Sequence, residues 1–143
     1  MIKTKYFGEM PMDEDKIIYF PEGIPGLEDE KEFIFIEIPN NRIFYCLQSI
    51  HHEEIAFFLI RPWDFFPEYD IHIPQEDLDD LGIRTMEELL LYNIITISQD
   101  SQITANLLGP IIINVETLKG RQIILHNENY QTKHPLLMKE RGV

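Results

Sequence analysis

The tetrad His51-His52-Glu53-Glu54 brings metal-ligating side chain types together in one short stretch of this chain. A helical zinc-protease site needs a second histidine four positions after the first, so that both reach one ion. Ile55 and Ala56 occupy those positions here, and the tetrad reads as an exposed hairpin tip. Acid–base catalysis needs convergence only in space, so His72 or His126 with a neighbouring Asp is the form a small hydrolase would take. The sequence signatures that would strengthen an enzyme are missing: a glycine-rich phosphate loop, a Gly-x-Ser-x-Gly elbow, and paired cysteines for zinc. The single cysteine, Cys46, lies in the apolar run Ile43-Phe44-Tyr45-Cys46-Leu47, which predicts a core thiol, no intramolecular disulfide and a reducing compartment. The expectation is a protein that is not an enzyme and uses no metal or cofactor.

Charge points to a different kind of function. The chain has 25 acidic and 12 basic residues, a formal net charge of −13. Nucleic acid is bound by clustered Lys and Arg, yet only Arg84 lies between Arg61 and Lys119, so direct nucleic-acid binding is not expected. A basic protein is the better partner, because complementary fields speed encounter and select among partners. From Asp64 to Glu88 nine carboxylates accompany one arginine, which predicts the strongest negative patch of the chain there. Within it, Asp64, Phe65, Phe66, Glu68 and Tyr69 form an aromatic and acidic connection bracketed by Pro62 and Pro67. Glu76, Asp77, Asp79 and Asp80 fall on the next short helix. Aromatic anchors beside charges suit an interface, and the same aromatics suit a connection packed against a sheet; composition leaves both readings open.

The stretch that would position these residues is Thr104-Ala105-Asn106-Leu107-Leu108-Gly109-Pro110 and the apolar run 111–115 behind it. That run has no charge until Glu116 and reads as a strand buried on both faces. Asn106 reads as a structural residue pinning a corner, with a partner contact as the alternative. Upstream, residues 2–8 and 16–20 read as two strands joined by the acidic loop Met12-Asp13-Glu14-Asp15. In Pro21-Glu22-Gly23-Ile24-Pro25-Gly26, the Pro25-Gly26 pair is the pattern of a type II turn, with Ile24 or Leu27 plugging the core and Glu28, Asp29, Glu30 and Glu32 facing water. Residues 33–38 and 42–49 form a predicted hairpin about Pro39-Asn40-Asn41, and residues 55–60 a third strand.

Pro74, the early acids and Gly82 delimit a short helix with Leu78 and Leu81 on one face. Thr85-Met86-Glu87-Glu88 matches a capping box before a strand through residues 93–98, with Leu89-Leu90-Leu91 ambiguous between the two. Residues 121–126 pair with the buried strand, and the tail after Tyr130 is mildly basic. The fold expected is mainly β: a small antiparallel β-barrel-like domain with two short helices, residues 1–143 forming one domain, and an open sandwich as the alternative. With no stretch apolar enough for a signal peptide or a membrane span, a soluble cytoplasmic protein is expected.

Several separate motifs then stand in a familiar order. They are Phe20-Pro21-Glu22-Gly23-Ile24-Pro25-Gly26-Leu27-Glu28, Leu47-Gln48-Ser49, the aromatic segment 62–69, Thr104-Ala105-Asn106-Leu107 with Pro110-Ile111, and Gly120-Arg121-Gln122. Over nearly its whole length the chain resembles the bacterial flagellar assembly factor FliW family. It departs from the pattern at Leu27, where Phe is common, and at Gly109, where Ala is common. The resemblance implies a compact barrel-like β fold without catalytic activity and with two protein partners. One is flagellin, bound by the family as a cytoplasmic chaperone. The other is the translational repressor CsrA, which blocks flagellin mRNA and is sequestered when export of flagellin frees the factor. On this reading Pro21, Gly23, Pro25, Gly26, Thr104, Asn106 and Pro110 are structural, and the patch from Asp64 to Asp80 takes part in CsrA binding or RNA repulsion. A chaperone devoted to flagellin alone is the second reading.

Overall fold

The computed structural model describes residues 1–136; the part of the basic tail beyond Leu136 lies outside the described residues. In chain order the strands are β1 (Ile2–Thr4), β2 (Gly8–Met10), β3 (Ile17–Tyr19), β4 (Glu32–Glu37), β5 (Phe44–Ser49) and β6 (Ala56–Ile60). Helix α1 (Gln75–Asp80) follows, then β7 (Leu89–Ile97), β8 (Ile103–Ala105), β9 (Ile111–Asn114), β10 (Gly120–Gln122) and β11 (His134–Pro135). The main sheet is antiparallel in the order β10-β9-β7-β6-β5-β4-β3, with β8 and β11 added on the β7 side. The mainly β expectation holds, but the ladder does not close into a barrel. β3 and β10 are each three residues long, and the ends of the sheet meet at a single isolated parallel bridge from Tyr19 of β3 to Lys119, just before β10, where the Tyr19 amide donates to Leu118 O at 2.9 Å. The second predicted helix is only a 3-10 turn, Met86–Glu88.

Both faces of the curved sheet are covered. Ile18, Phe20, Phe33, Leu47, Leu59, Tyr92, Ile111 and Ile113 fill the inner face. On the outer face, Ile60, Leu91, Ile95 and Ile112 pack under Tyr69, Leu81, Ile83 and Leu125 from the connections and α1. A third cluster, Ile2, Ile34, Ile36 and Cys46, lies beneath the β1–β2 hairpin. Because successive strand residues alternate faces, β9 sends Ile111 and Ile113 inward and Ile112 outward, and all four of its residues are buried. Val115, outside the strand, is exposed. Cys46 is fully buried, and burial pushes its thiol up to about 12.

Several boundaries differ from expectation for local reasons. The stretch 2–8 folds back as β1 and β2 because the Thr4 hydroxyl donates to Gly8 O (2.7 Å) and accepts from Phe7 N (2.8 Å), closing a turn that Gly8 completes at φ +67°. β7 begins directly after the capping-box turn, where Thr85 N donates to Glu88 Oε1 at 3.2 Å, so Leu89-Leu90-Leu91 is strand. β10 stops at Gln122 because its partner β9 begins just after Pro110, which has no N–H to extend the ladder. At the other motif, Ile24 and Leu27 exchange backbone hydrogen bonds around Pro25-Gly26, with Gly26 at φ +88°. Ile24 is buried and Leu27 only partly so.

Glu30 is a correction: it is 6% exposed rather than facing water. Its carboxylate accepts from the Ser49 hydroxyl and bonds His52 Nδ1 at 2.9 Å, while Ser49 Oγ accepts the amides of His51 (3.2 Å) and His52 (3.0 Å). The buried Gln48 side chain donates to Glu53 O (3.1 Å) and Ile55 O (3.2 Å) and accepts Lys5 N (2.9 Å). The histidine tetrad is thus a tied corner of the sheet, and no group of three or more His, Cys, Asp or Glu able to hold a metal occurs among the described residues.

Two consequences can be measured. Gly8 and Gly23 have nearly the same φ, +67° and +68°, but a Cβ on Gly8 meets nothing within 4 Å whereas one on Gly23 falls 2.4 Å from Glu28 O. Gly8→Ala should cost about 1 kcal/mol by strain alone, and Gly23→Ala well above about 2 kcal/mol, in urea unfolding. Equal losses would show that the turn relaxes freely. The second concerns pH. Burial opposes ionisation of Glu30, but Ser49 and His52 outweigh it and hold the group below its ordinary 4.5; the hydrogen bond and charge of Glu30 raise His52 above its ordinary 6.5, with Glu54 adding to the effect. A depressed carboxylate adds stability that is lost as pH falls through its folded pKa. A raised histidine adds stability that is fully present below its ordinary value and lost as pH rises through the folded one. The pair therefore acts most strongly between 4.5 and 6.5. The melting temperature should fall between about pH 5.5 and about pH 8.5 by more in the wild type than in Glu30→Gln. Identical pH dependence would remove this pair as the cause.

Candidate partner-binding surface

The aromatic connection after β6 is stapled to the sheet by its own side chains. Pro62 opens a 3-10 turn, Pro62–Asp64, which lifts Trp63 outward. Trp63 Nε1 donates to Tyr69 O at 2.9 Å, and the two rings meet edge-on with centroids 5.9 Å apart. The Tyr69 hydroxyl donates to Leu107 O at 2.7 Å, and Tyr130 Oη accepts the amide of Asp70 at 2.9 Å. Burial pushes the Tyr69 phenol up to about 12, and at 4% exposure this ring is part of the core, not a surface anchor. Phe65 and Phe66 are half-buried against the outer cluster, beside Phe44 and His134 respectively. The aromatic that does face solvent is Trp63, 46% exposed, which sequence reasoning did not single out.

Helix α1 carries the second half of the patch. Pro74 precedes it, Gly82 at φ +68° ends it, and Leu78 and Leu81 turn into the outer cluster. Asn114 Nδ2 donates to Leu81 O at 2.8 Å and ties the end of the helix to β9. Glu76, Asp79 and Asp80 are exposed, while Asp77 is partly covered. The covering group is Arg121 of β10. Its Nη1 donates to Asp77 Oδ1 and to Asp80 Oδ2, both at 2.9 Å, and Nη2 pairs with Glu22. Burial works against the Arg121 charge, but Asp77, Asp80 and Glu22 outweigh it and raise the guanidinium above its ordinary value. Arg121 was missed because it lies 44 and 41 residues from Asp77 and Asp80 in sequence.

The face around α1 and the connection therefore divides in two. Asp77 and Asp80 are engaged with Arg121, and Asp64 sits 3.4 Å from Arg61 Nε. Glu68 and Glu76 form no ion pair among the described residues, and Asp79 only accepts a hydrogen bond from Gln75 (2.8 Å). His72 and His126 are both exposed, and neither lies in an ion pair with an acid among the described residues. The motif residues occupy corners. Gly23 and Gly26 adopt positive φ, Thr104 is paired with both Thr96 and Pro135, and Asn106 Oδ1 accepts the amide of Leu108 at 3.2 Å. Pro110 leads into β9 and is buried; Pro21 and Pro25 are exposed at the turn. No helix among the described residues is long and apolar enough to cross a membrane.

Comparison with known proteins follows the same outline. The family profile described as FliW protein matches residues 1–136. The flagellar assembly factor FliW of Syntrophomonas wolfei is 45% identical over 136 residues, covering 94% of this chain and 87% of its own. That of Clostridium botulinum strain Langeland is 38% identical over 140 residues, covering 97% and 98%, and that of Bacillus subtilis strain 168 is 36% identical over 137, covering 95% and 96%. A crystal structure of the flagellar assembly factor FliW superposes with a TM-score of 0.87 at 39% identity, covering 96% of each chain. With the family profile spanning every described residue, relatives similar over their whole length and a solved FliW structure sharing the fold, this chain belongs to the FliW family of flagellar assembly factors.

Proposed function

We propose that this protein acts in flagellum assembly as a non-enzymatic cytoplasmic regulator that switches between two protein partners. When flagellin is abundant it is held by this chain as a chaperone client. When flagellin is exported, the freed chain sequesters CsrA and relieves repression of flagellin mRNA. The observation that carries this reading is electrostatic: a family member with a net charge of −13 and unpaired carboxylates at Glu68, Glu76 and Asp79 around α1. CsrA binds RNA and must present positive charge, so an acidic domain is attracted to it and, once docked, repels phosphate across the roughly 8–10 Å screening length of cellular salt.

The partner surface proposed is the outward side of Asp64, Phe65, Phe66, Glu68, Glu76 and Asp79. Trp63 supplies the exposed aromatic at its edge. Asp77 and Asp80 support this surface by holding Arg121.

Calorimetric titration with CsrA from the same source, at low and high salt and then with flagellin present, tests the reading. Tight salt-sensitive binding that flagellin abolishes is the expected result. Binding of flagellin without CsrA would leave a dedicated chaperone. The surface is tested by Glu68→Lys, Glu76→Lys and Asp79→Lys together, which spare the Arg121 cluster; CsrA affinity should fall by about tenfold or more with thermal stability unchanged. Undiminished affinity would move the site elsewhere. Reversing Asp77 or Asp80 instead would set a lysine against Arg121 and confound binding with folding.

A further inference from the structure

A cleft of about 800 Å³ opens where the inner face of the sheet meets the β4–β5 turn. Glu37 and Tyr45, paired across β4 and β5, line one side, with Tyr92 of β7 and Arg61 just after β6 completing the wall. Asn41 and Arg42 form the rim. The rim is preset: Asn40 adopts φ +62°, and Asn41 Oδ1 accepts the amides of Ile43 (2.8 Å) and Phe44 (3.0 Å). Arg42 has no acidic partner among the described residues. The Arg61 guanidinium lies 5.8 Å over the Tyr45 ring and, among the described residues, is paired with Asp64 alone, at 3.4 Å.

We infer that this cleft docks an extended peptide segment of a protein partner through a carboxylate side chain, received by Arg42 and Arg61 against the partly exposed Tyr45 ring, which packs on Tyr92 beneath it. On a chain with twice as many acids as bases, Arg42 is free to take an anion at a concave site and Arg61, engaged at Nε by Asp64, adds a second guanidinium beside it; a guanidinium fork matches a planar carboxylate. Glu37 in the wall disfavours a dianion such as phosphate relative to a single carboxylate. The cleft is open to solvent, whereas small-molecule sites enclose most of their ligand, and this favours a peptide passing across it. The inference rests on the cleft alone, so the partner switch proposed above can fail without it.

The test is a nitrogen-15 amide-shift titration of the full chain with the blocked peptide acetyl-Glu-Phe-Glu-Phe-amide, its Gln-for-Glu counterpart, and inorganic phosphate at matched ionic strength. The acidic peptide should shift the amides of Arg42, Tyr45 and Tyr92, the Gln peptide should bind about tenfold more weakly, and phosphate should not displace the acidic one. Arg42→Gln with Arg61→Gln should weaken the acidic peptide by about tenfold at unchanged melting temperature; the exposed Arg42→Gln alone serves if the pair unfolds. Shifts confined to another surface, equal response to the Gln peptide, displacement by phosphate, binding indifferent to both substitutions, or no response at millimolar peptide would each overturn the assignment.

Discussion

Burial of β9 on both faces is the constraint on which the other elements depend. Ile111, Ile112 and Ile113 are each at most 1% exposed, and burying three such side chains is worth on the order of 5–9 kcal/mol, comparable with the whole net stability of a domain this size. That gain exists only if something covers each side. Inward, β3 and the turn at Phe20 to Leu27 provide the cover through Ile18, Phe20 and Ile24. Outward, the aromatic connection and α1 provide it through Tyr69, Leu81 and Ile83. The acidic elements are therefore held in place by the apolar faces beneath them.

The strand that serves this core twice is β7. Its first half, Leu89 to Tyr92, pairs with β9, and its last three residues, from Ile95, pair with β8. The change of partner falls at the residues 106–110 corner, where Asn93 Nδ2 donates to Asn106 O at 2.8 Å and Asn106 N donates to Ile94 O at 2.9 Å. Asn93 is fully buried, so its amide is committed to this corner. Gly109 belongs to the same corner. A Cβ there would come 2.6 Å from the Asn106 amide and 2.9 Å from that of Gln122, whose Nε2 donates to Gly109 O. In this chain the corner is packed around glycine.

Charge is arranged by the same scaffold. Arg121 projects from β10 to gather Asp77, Asp80 and Glu22 from two separate connections, converting part of an acidic run into a structural tie. What is left outward is a smaller and more sharply placed negative surface. Elsewhere the inner face ends in Arg61, Tyr45 and Tyr92, and the Arg61–Asp64 pair joins that end to the acidic connection.

Much of this was legible in residues whose meaning is local. Pro25-Gly26 specifies its turn by φ, Gly82 and the early acids bound α1, and an uncharged run of isoleucines leaves β9 no solvated face. The motif order carried the family. Side chains acting across sequence distance were not legible. Glu30 reads as a surface acid until Ser49 and His52 enclose it, and Tyr69 reads as an anchor until Leu107 O takes its hydroxyl. The expected mainly β, barrel-like class holds, and what the pattern within the strands did not reveal is that the sheet stays open between the short strands β3 and β10. The sequence by itself determined a mainly β chain, its turns, its two-sided central strand and its acidity, because backbone preference and apolar periodicity act over a few residues. Only the tertiary structure decided which acids stay free, which aromatics face water and where the arginines gather, because those depend on contacts between residues tens of positions apart.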